Sequence, residues 1–223
     1  VAGMPNAHSH AFQRAMSADA EHRQSSRDSF WTWRQAMYAL ANRVDPADLQ
    51  LIARQLFIEM LEAGYTSVAE FHYIHRDPAG LAYARDNPLH AAVQAAAGAT
   101  GIGLTLLPTL YQHSDFGAAP LREDQRRFAS SVPEFLEMVR QLRREAGAAR
   151  LFRCGAAFHS LRAVGPAALQ ETAAGLRDID PDMPVHIHVA EQLLEVKACL
   201  KATGRRPVQW LLDNADIDAR WCL

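Results

Sequence analysis

The sequence is poor in cysteine, balanced in charge and without long apolar runs, and each property argues against a class of protein. Its three cysteines, Cys154, Cys199 and Cys222, form no CxxC pair, which favours free thiols in a reducing cytoplasm over a secreted disulfide scaffold. Lysine and arginine number 23 against 25 acidic residues, so net charge indicates neither a nucleic-acid-binding surface nor a polybasic membrane patch. No apolar run approaches the roughly 18 residues of a membrane span. A soluble protein that acts on small molecules is predicted.

The usual nucleotide-binding fingerprints are also missing, because neither G-x-G-x-x-G nor G-x-x-x-x-G-K-S/T follows any predicted strand. The sequence does contain 49% hydrophobic residues over 223 positions, which is enough for the core of one α/β domain. It starts at Val1 inside an apparent strand and stops at Leu223 just as an apolar run begins. We therefore expect a fragment, with residues 1–223 forming part of one domain.

Apolar and β-branched stretches alternate with helical patterns, and this alternation predicts parallel βα units. Five strands are predicted, in the segments PNAHSH, TSVAEFHY, IGLTLLPTLY, LFRCGAAFH and PVHIHVA. Helices are predicted at about residues 29–43, 46–63, 88–100, 133–146, 166–177 and 192–203. Such a series forms an open doubly wound sheet or a (β/α)8 TIM-type barrel. We predict the barrel, represented by about its first five βα units.

The tripeptide His8-Ser9-His10 closes the first predicted strand. Residues i and i+2 of a strand project from the same face, so the two imidazoles could lean onto one ion. Imidazole is a common zinc ligand, but His-x-His is a short pattern that also occurs by chance. The tripeptide alone leaves a metal site and an accidental pairing both open.

Polar side chains end nearly every predicted strand, where parallel barrels carry their active sites. They are His8 and His10, then Glu70, His72 and Tyr73, then Tyr111 and His113, then His159 and Arg162, and finally His186, His188 and Glu191. Taken singly, each has a structural explanation, and His72, His75 and His113 are equally well explained as loop caps. Five strands that converge on one edge favour a functional site.

The segment HIHVAE places His188 near the end of the fifth strand and Glu191 where the chain turns toward a helix. Taken alone, this pair has two interpretations. It is either a buried histidine with a first-turn glutamate favoured by the helix dipole, or a metal ligand with a neighbouring proton-transfer group. Read together with His8 and His10, the three imidazoles match the ligand inventory of a catalytic zinc.

These motifs carry a resemblance. The HxH of the first strand and the HxxE of the fifth resemble the amidohydrolase superfamily, whose members hydrolyse amide, amidine or aminopurine-type C–N bonds in metal-bearing (β/α)8 barrels. Within that superfamily, the chain is most similar to the formimidoylglutamate deiminases. The similarity is carried by the segments PNAHSHAFQRAM, DSFWTWRQAMY, FIEMLEAGYTSVAEFHY, TLLPTLYQHSDFG, HSLRAV and PVHIHVAEQ. The similarity runs along essentially the whole chain. It implies hydrolysis of N-formimino-L-glutamate to N-formyl-L-glutamate and ammonia, in histidine degradation.

The resemblance also implies roles for individual residues. It implies one zinc ion bound by His8, His10 and His188, proton transfer by Glu191, and a substrate pocket formed by Gln13, Arg34, Tyr73, His159 and Arg162. The substrate carries two carboxylates, which suit arginine forks, although Arg34 has an alternative as a surface-helix arginine. A homodimer is compatible with the sequence and is not required by it.

Two departures from the family pattern stand out. The family places a further histidine on strand six and a metal-binding aspartate on strand eight, both expected beyond Leu223. Phe158 occupies the position before HSLR where proline is expected, which bears on local pocket geometry.

Two rival functions remain open: a deaminase of an aromatic base such as guanine with the same metal ligands, and a noncatalytic remnant or binding module.

Overall fold

A computed structural model of the protein describes residues 2–17, 30–83, 86–147 and 149–223. Its strands are β1 Met4–Ser9, β2 Tyr65–His72, β3 Gly103–Leu110, β4 Phe152–Cys154, β5 Ala156–Ser160, β6 Val185–His188 and β7 Trp221–Cys222. Its α-helices are α1 Phe30–Ala41, α2 Pro46–Glu62, α3 Pro88–Thr100, α4 Val132–Ala146, α5 Pro166–Ile179, α6 Leu193–Thr203 and α7 Pro207–Asn214. Two 3₁₀ helices, Ala11–Met16 and Glu123–Phe128, complete the description.

The strands form one parallel sheet in the order β1-β2-β3-β5-β6-β7, with β4 paired beside β3. The spatial order follows the chain order, and helices connect successive strands, as in a (β/α)8 barrel. The predicted barrel portion with parallel βα units is confirmed. The carboxyl ends of the strands consequently meet at one edge, where the predicted site residues lie.

The predicted fourth strand is divided at Gly155, which separates β4 from β5. A Cβ atom at this position would overlap the Leu107 side chain and lie 2.9 Å from the carbonyl oxygen of Pro184. Only glycine allows the chain to pass this close to both neighbours. Beyond β6, the short β7 adds a further parallel strand, with Trp221 opposite Val185.

Local signals fix most helix boundaries. The sequence Asp45-Pro46 indicates an N-cap followed by a proline in the first turn, and in the structure Asp45 accepts a hydrogen bond from the Asp48 N–H at 2.8 Å while Pro46 begins α2. Gly64, which follows that helix, has φ +94°, a left-handed conformation that favours glycine. The predicted start of α1 at Ser29 lies outside the described residues. Helix α7 was not predicted.

The hydrophobic core lies between the sheet and its covering helices. It is formed by Leu49, Phe57, Leu89, Val93, Phe135, Val139 and Leu169 from the helices, and by Val68, Leu104, Leu106, Ala157 and Val185 from the strands. Full burial of one such leucine or phenylalanine stabilises the fold by about 1.5–3 kcal/mol. All three cysteines are free thiols, as predicted, and the structure places Cys154 and Cys199 inside the protein and Cys222 on its surface.

None of the described helices combines the length and the apolar content needed to cross a membrane.

Candidate metal and active site

Two strands deliver three imidazoles to one point at the carboxyl edge of the sheet. His8 lies in β1, His10 caps the 3₁₀ helix that follows it, and His188 is the last residue of β6. The Nε2 atoms of His8 and His10 are 3.1 Å apart, and those of His188 and His8 are 3.2 Å apart. One ligand atom from each of the three residues lies within 4.8 Å of the others. We call these residues the first triad.

The spacing of the first triad fits a tetrahedral ion. Zinc–nitrogen bonds of about 2.0–2.1 Å at tetrahedral angles place two ligand nitrogens about 3.3 Å apart. The two close nitrogen pairs, at 3.1 and 3.2 Å, are near that value. His8, His10 and His188 therefore have the chemistry and the geometry to hold one divalent ion of the zinc type.

Backbone and aromatic contacts orient the rings. The Nδ1 of His10 lies 2.8 Å from the Phe71 carbonyl oxygen, to which it donates, so the lone pair resides on Nε2. The Phe71 ring stacks on His188 with centroids 4.2 Å apart and planes 17° apart. Ligating histidines commonly anchor their second nitrogen in this way. One residue of β2 thus holds two members of the triad.

The first triad is in the neutral form that a metal ligand requires. Burial, reinforced by the charge of His8, lowers the pKa of His10 to about 3, although the bond to Phe71 opposes the shift. Burial and the neighbouring imidazoles lower the pKa of His188 to about 2, and burial also lowers the pKa of His8. At neutral pH, no proton competes with an ion for the ligand atoms.

Glu70 holds the chain just after His10. Its Oε1 accepts a hydrogen bond from the Ala11 N–H at 2.6 Å. Burial raises the pKa of Glu70 to about 7, against the opposing effect of the Ala11 bond. The sequence identified Glu70 only as a polar residue at a strand end, and its bond to Ala11 was not predicted.

A cavity of about 330 Å³ opens in front of the first triad. It is lined by all nine predicted site residues, His8, His10, Gln13, Arg34, Tyr73, His159, Arg162, His188 and Glu191. Trp33, Met37 and Tyr38 of α1 complete the lining and were not predicted as site residues. The helical spacing of Trp33 and Met37 indicated only an apolar helix face, which in the structure faces this cavity.

Buried polar contacts order one wall of the cavity. Gln13 donates from Nε2 to the Tyr73 hydroxyl at 3.0 Å, and burial raises the pKa of Tyr73 well above its usual range. The Nε of Arg34 donates to the Tyr38 hydroxyl at 2.5 Å. Arg34 is only 9% exposed, so its alternative as a surface-helix arginine is wrong.

The charges at the cavity favour an anionic ligand. Arg34 and Arg162 both line it, whereas Glu191 is its only acidic lining residue among the described positions. No described carboxylate lies within ion-pair distance of Arg162. Desolvation, and then the charge of Glu195, raise the pKa of Glu191, which both arginines oppose. A carboxylate ligand would supply the missing partner of Arg162.

Phe158 does not occupy the cavity. Its side chain is fully buried and stacks on Trp221, with centroids 5.5 Å apart and planes 4° apart. The next residue, His159, points to the opposite face of β5 and lines the cavity. The aromatic residue found where proline was expected therefore packs β5 against β7 and leaves His159 and Arg162 at the site.

Comparison with known proteins reveals clear relatives. Residues 1–218 match the model of the amidohydrolase family. A formimidoylglutamate deiminase from Pseudomonas aeruginosa is 52% identical over 221 residues, which cover 99% of this chain and 48% of the relative. The crystal structure of an amidohydrolase from Brucella melitensis superposes with a TM-score of 0.92 at 47% identity, covering 100% of this chain and 49% of that one.

More distant structures share the fold. An atrazine chlorohydrolase from Arthrobacter aurescens, solved in complex with zinc, superposes with a TM-score of 0.78 at 18% identity, over 98% of this chain and 47% of that one. The chain thus spans about half the length of the relatives that it matches.

Proposed function

The chain belongs to the amidohydrolase family, and from that premise we propose that it carries the substrate pocket of a zinc-dependent hydrolase that deiminates N-formimino-L-glutamate. The reaction adds water to the formimino carbon and breaks its bond to the terminal imino nitrogen, giving N-formyl-L-glutamate and ammonia. The observation that carries the proposal is one cavity that joins three neutral, closely spaced imidazoles to two arginines. The name of the relative from Pseudomonas aeruginosa supports the same substrate.

His8, His10 and His188 would hold one zinc ion. When bound, such an ion supplies Lewis-acid activation of water and of the substrate carbon. The protein's own contribution is to keep the three imidazoles neutral and oriented, through burial and through the Phe71 carbonyl and ring.

Glu191 would carry the proton. It follows β6 directly, at the same edge as His188, and its raised pKa suits a group that must both accept and release a proton near neutral pH. The carboxylate takes one proton from the attacking water and gives it to the terminal imino nitrogen. It then moves the second proton, from the new carbon-bound hydroxyl, to the same nitrogen as the carbon–nitrogen bond breaks and the formyl carbonyl forms. Ammonia then leaves as a neutral molecule.

Arg162 and Arg34 would recognise the carboxylates of the substrate. Both line the cavity, and a dianionic ligand offers each guanidinium an acceptor pair. Gln13, held by its bond to Tyr73, would contact the formimino nitrogen, while His159 lines the cavity beside the Tyr73 ring. Such a pocket disfavours a neutral aromatic base, because that base offers no carboxylate to Arg162.

The reaction is tested by ammonia release from N-formimino-L-glutamate and from guanine, using the full-length protein. We expect turnover of the first compound and none of the second. Preferential turnover of guanine would favour the aromatic-base deaminase, and absence of bound metal together with absence of turnover would favour a noncatalytic module.

Three free cysteines suit a reducing environment, and we therefore propose that the enzyme is cytoplasmic.

Arg162→Met tests substrate recognition. The variant keeps most of the side-chain length but removes the charged fork, so kcat/KM for formiminoglutamate should fall by the equivalent of about 2–5 kcal/mol. A formimino compound that lacks the carboxylate facing Arg162 should be a poor substrate for the parent and almost indifferent to the change. Arg153→Met, on an exposed position of β4, is the matched control. Equal losses on both compounds would remove Arg162 from carboxylate recognition.

A further inference from the structure

A second cluster of histidines lies behind the candidate site. His72 is the last residue of β2, His75 follows in the next loop, and His90 lies in the first turn of α3. Their exposed fractions are 2%, 3% and 3%, so all three rings are inside the protein. We call them the second triad. None of them lines the cavity of the first triad.

The spacing of the second triad resembles that of the first. The Nδ1 of His75 and the Nε2 of His90 are 3.2 Å apart, the same distance as between His8 and His188. One nitrogen from each ring lies within 4.8 Å of the other two. The ring centroids are 5.2–5.8 Å apart, against about 5 Å for three imidazoles that share one tetrahedral zinc.

Backbone carbonyls anchor two of the three rings. The Nε2 of His72 lies 2.9 Å from the Ile74 carbonyl oxygen, and the Nε2 of His75 lies 2.9 Å from the Thr109 carbonyl oxygen. A carbonyl oxygen can only accept, so each Nε2 bonded to one carries the proton and the Nδ1 of that ring carries the lone pair. The Thr109 N–H also lies 3.4 Å from the Nε2 of His75, but the contact to the Thr109 carbonyl is the shorter one. His10 is anchored to Phe71 in the same manner, and this is the usual way in which proteins orient an imidazole for an ion.

An acidic cavity leads to the second triad. It has a volume of about 370 Å³, and His75 and His90 form part of its wall. Its charged lining consists of four carboxylates and one guanidinium, namely Asp86, Glu134, Glu137, Glu145 and Arg76. Glu134 pairs with Arg76, and Glu137 pairs with Arg140 and Arg144. Asp86 and Glu145 have no ion-pair partner among the described residues, so the lining keeps a negative balance that favours cations. A metal site needs an entry path, and this cavity provides one.

We propose that His72, His75 and His90 bind a divalent transition-metal ion of the zinc class, through Nδ1 of the first two and one ring nitrogen of His90. Burial lowers the pKa of His72 to about 3 and that of His75 to about 4, so these ligands are neutral. The ion would tie the end of β2 to the start of α3. Phe71 and Tyr73 flank His72. Phe71 stacks on His188 and Tyr73 lines the cavity of the first triad, so an ion bound to His72 would also stabilise that side of the first site.

The alternative is a hydrogen bond between His75 and His90 with no ion. Metal counting separates the two. The full-length protein is expressed with added zinc, dialysed against metal-free buffer and analysed by mass spectrometry for zinc per chain. We expect two ions in the parent, one in His90→Gln, one in His188→Gln and two in His113→Gln, the matched control outside both triads. One ion in the parent, with the same content in His90→Gln, would overturn the proposal.

A second measurement covers the case in which His90→Gln does not fold. The His188→Gln protein, which has a damaged first triad, is loaded with Co²⁺ and examined for the visible absorption bands of a tetrahedral site. Stoichiometric Co²⁺ with these bands supports the second triad as ligands. Absence of both bound cobalt and bands in the folded protein contradicts it. Neither readout depends on turnover.

Discussion

The two histidine triads use the same side chains and meet opposite surroundings. The first triad faces a cavity with Arg34, Arg162 and a single carboxylate, whereas the second lies behind a cavity with four carboxylates and one arginine. Both anchor imidazole nitrogens on backbone carbonyls. The spacing of the imidazoles suits an ion in both places, whereas the surrounding charges favour an anion at the first cavity and cations at the second.

A single strand end serves both triads. Successive residues of a strand point to opposite faces, so Phe71 and Tyr73 turn toward the first triad while His72 turns toward α3. The two clusters are therefore separated by the thickness of the sheet. Substitutions in one should leave the chemistry of the other largely intact.

The sharpest contrast is expected from His188→Gln and His75→Gln. His188→Gln should reduce turnover by more than about 10²-fold, since loss of residues that merely support a metal ligand already costs 10–100-fold. His75→Gln should lose less than about tenfold, because the second triad lies outside the pocket. Steady-state ammonia release measures both. Comparable losses in the two variants would show that the triads are not separate in function.

Glu191→Gln separates proton transfer from ion binding within the first site. The amide preserves the shape but cannot carry the proton, so turnover should fall by at least about 10²-fold while zinc content stays constant. Zinc analysis of the same preparation is the control. Near-normal turnover would remove Glu191 from the mechanism, and loss of zinc would make it part of the ion site.

The acid dependence of stability should distinguish the second triad in the metal-free protein. The pKa of His75 is lowered from 6.5 to about 4, so between these values the unfolded chain binds more protons than the folded one. Unfolding free energy therefore decreases as pH falls through this window, and it is fully retained above 6.5. His75→Gln should reduce the slope by up to about 1.4 kcal/mol per pH unit. Urea melts at several pH values measure it, and an unchanged slope would contradict the burial of a neutral imidazole.

A histidine outside both triads sets the baseline. His113 lies in the loop after β3 and is partly exposed. His113→Gln should change unfolding free energy by less than about 0.5 kcal/mol, as surface substitutions usually do. It should also preserve turnover and zinc content. A larger effect on stability would mean that the losses in the triad variants reflect a general sensitivity to histidine replacement.

The sequence predicted the first site better than the second. His8, His10 and His188 stand at strand ends, where period-2 geometry and the barrel arrangement bring side chains together. His90 stands in a helix whose other buried residues are apolar, and nothing in its spacing pointed to His72 or His75. Contacts between a strand end and the following helix depend on packing across the sheet, which a linear pattern does not encode.

The fold shows the same division. The parallel series followed from the alternation of strand and helix patterns, and the start of α2 from the local signal at Asp45 and Pro46. The break at Gly155 depends on the closeness of Leu107 and Pro184, which are distant in sequence. Trp33 and Met37 were predicted as an apolar helix face, and only the tertiary arrangement turns that face toward a cavity.

Helix α1 carries Trp33, Arg34, Met37 and Tyr38 to the cavity, and it stands ahead of α2 in the connection between β1 and β2. The imidazoles of the first triad, by contrast, come from β1, from the residue directly after it, and from β6. One wall of the cavity can therefore change through substitutions in a single twelve-residue helix, while the first triad and the sheet keep their residues. The wall that meets a ligand and the cluster of imidazoles can thus diverge independently of each other.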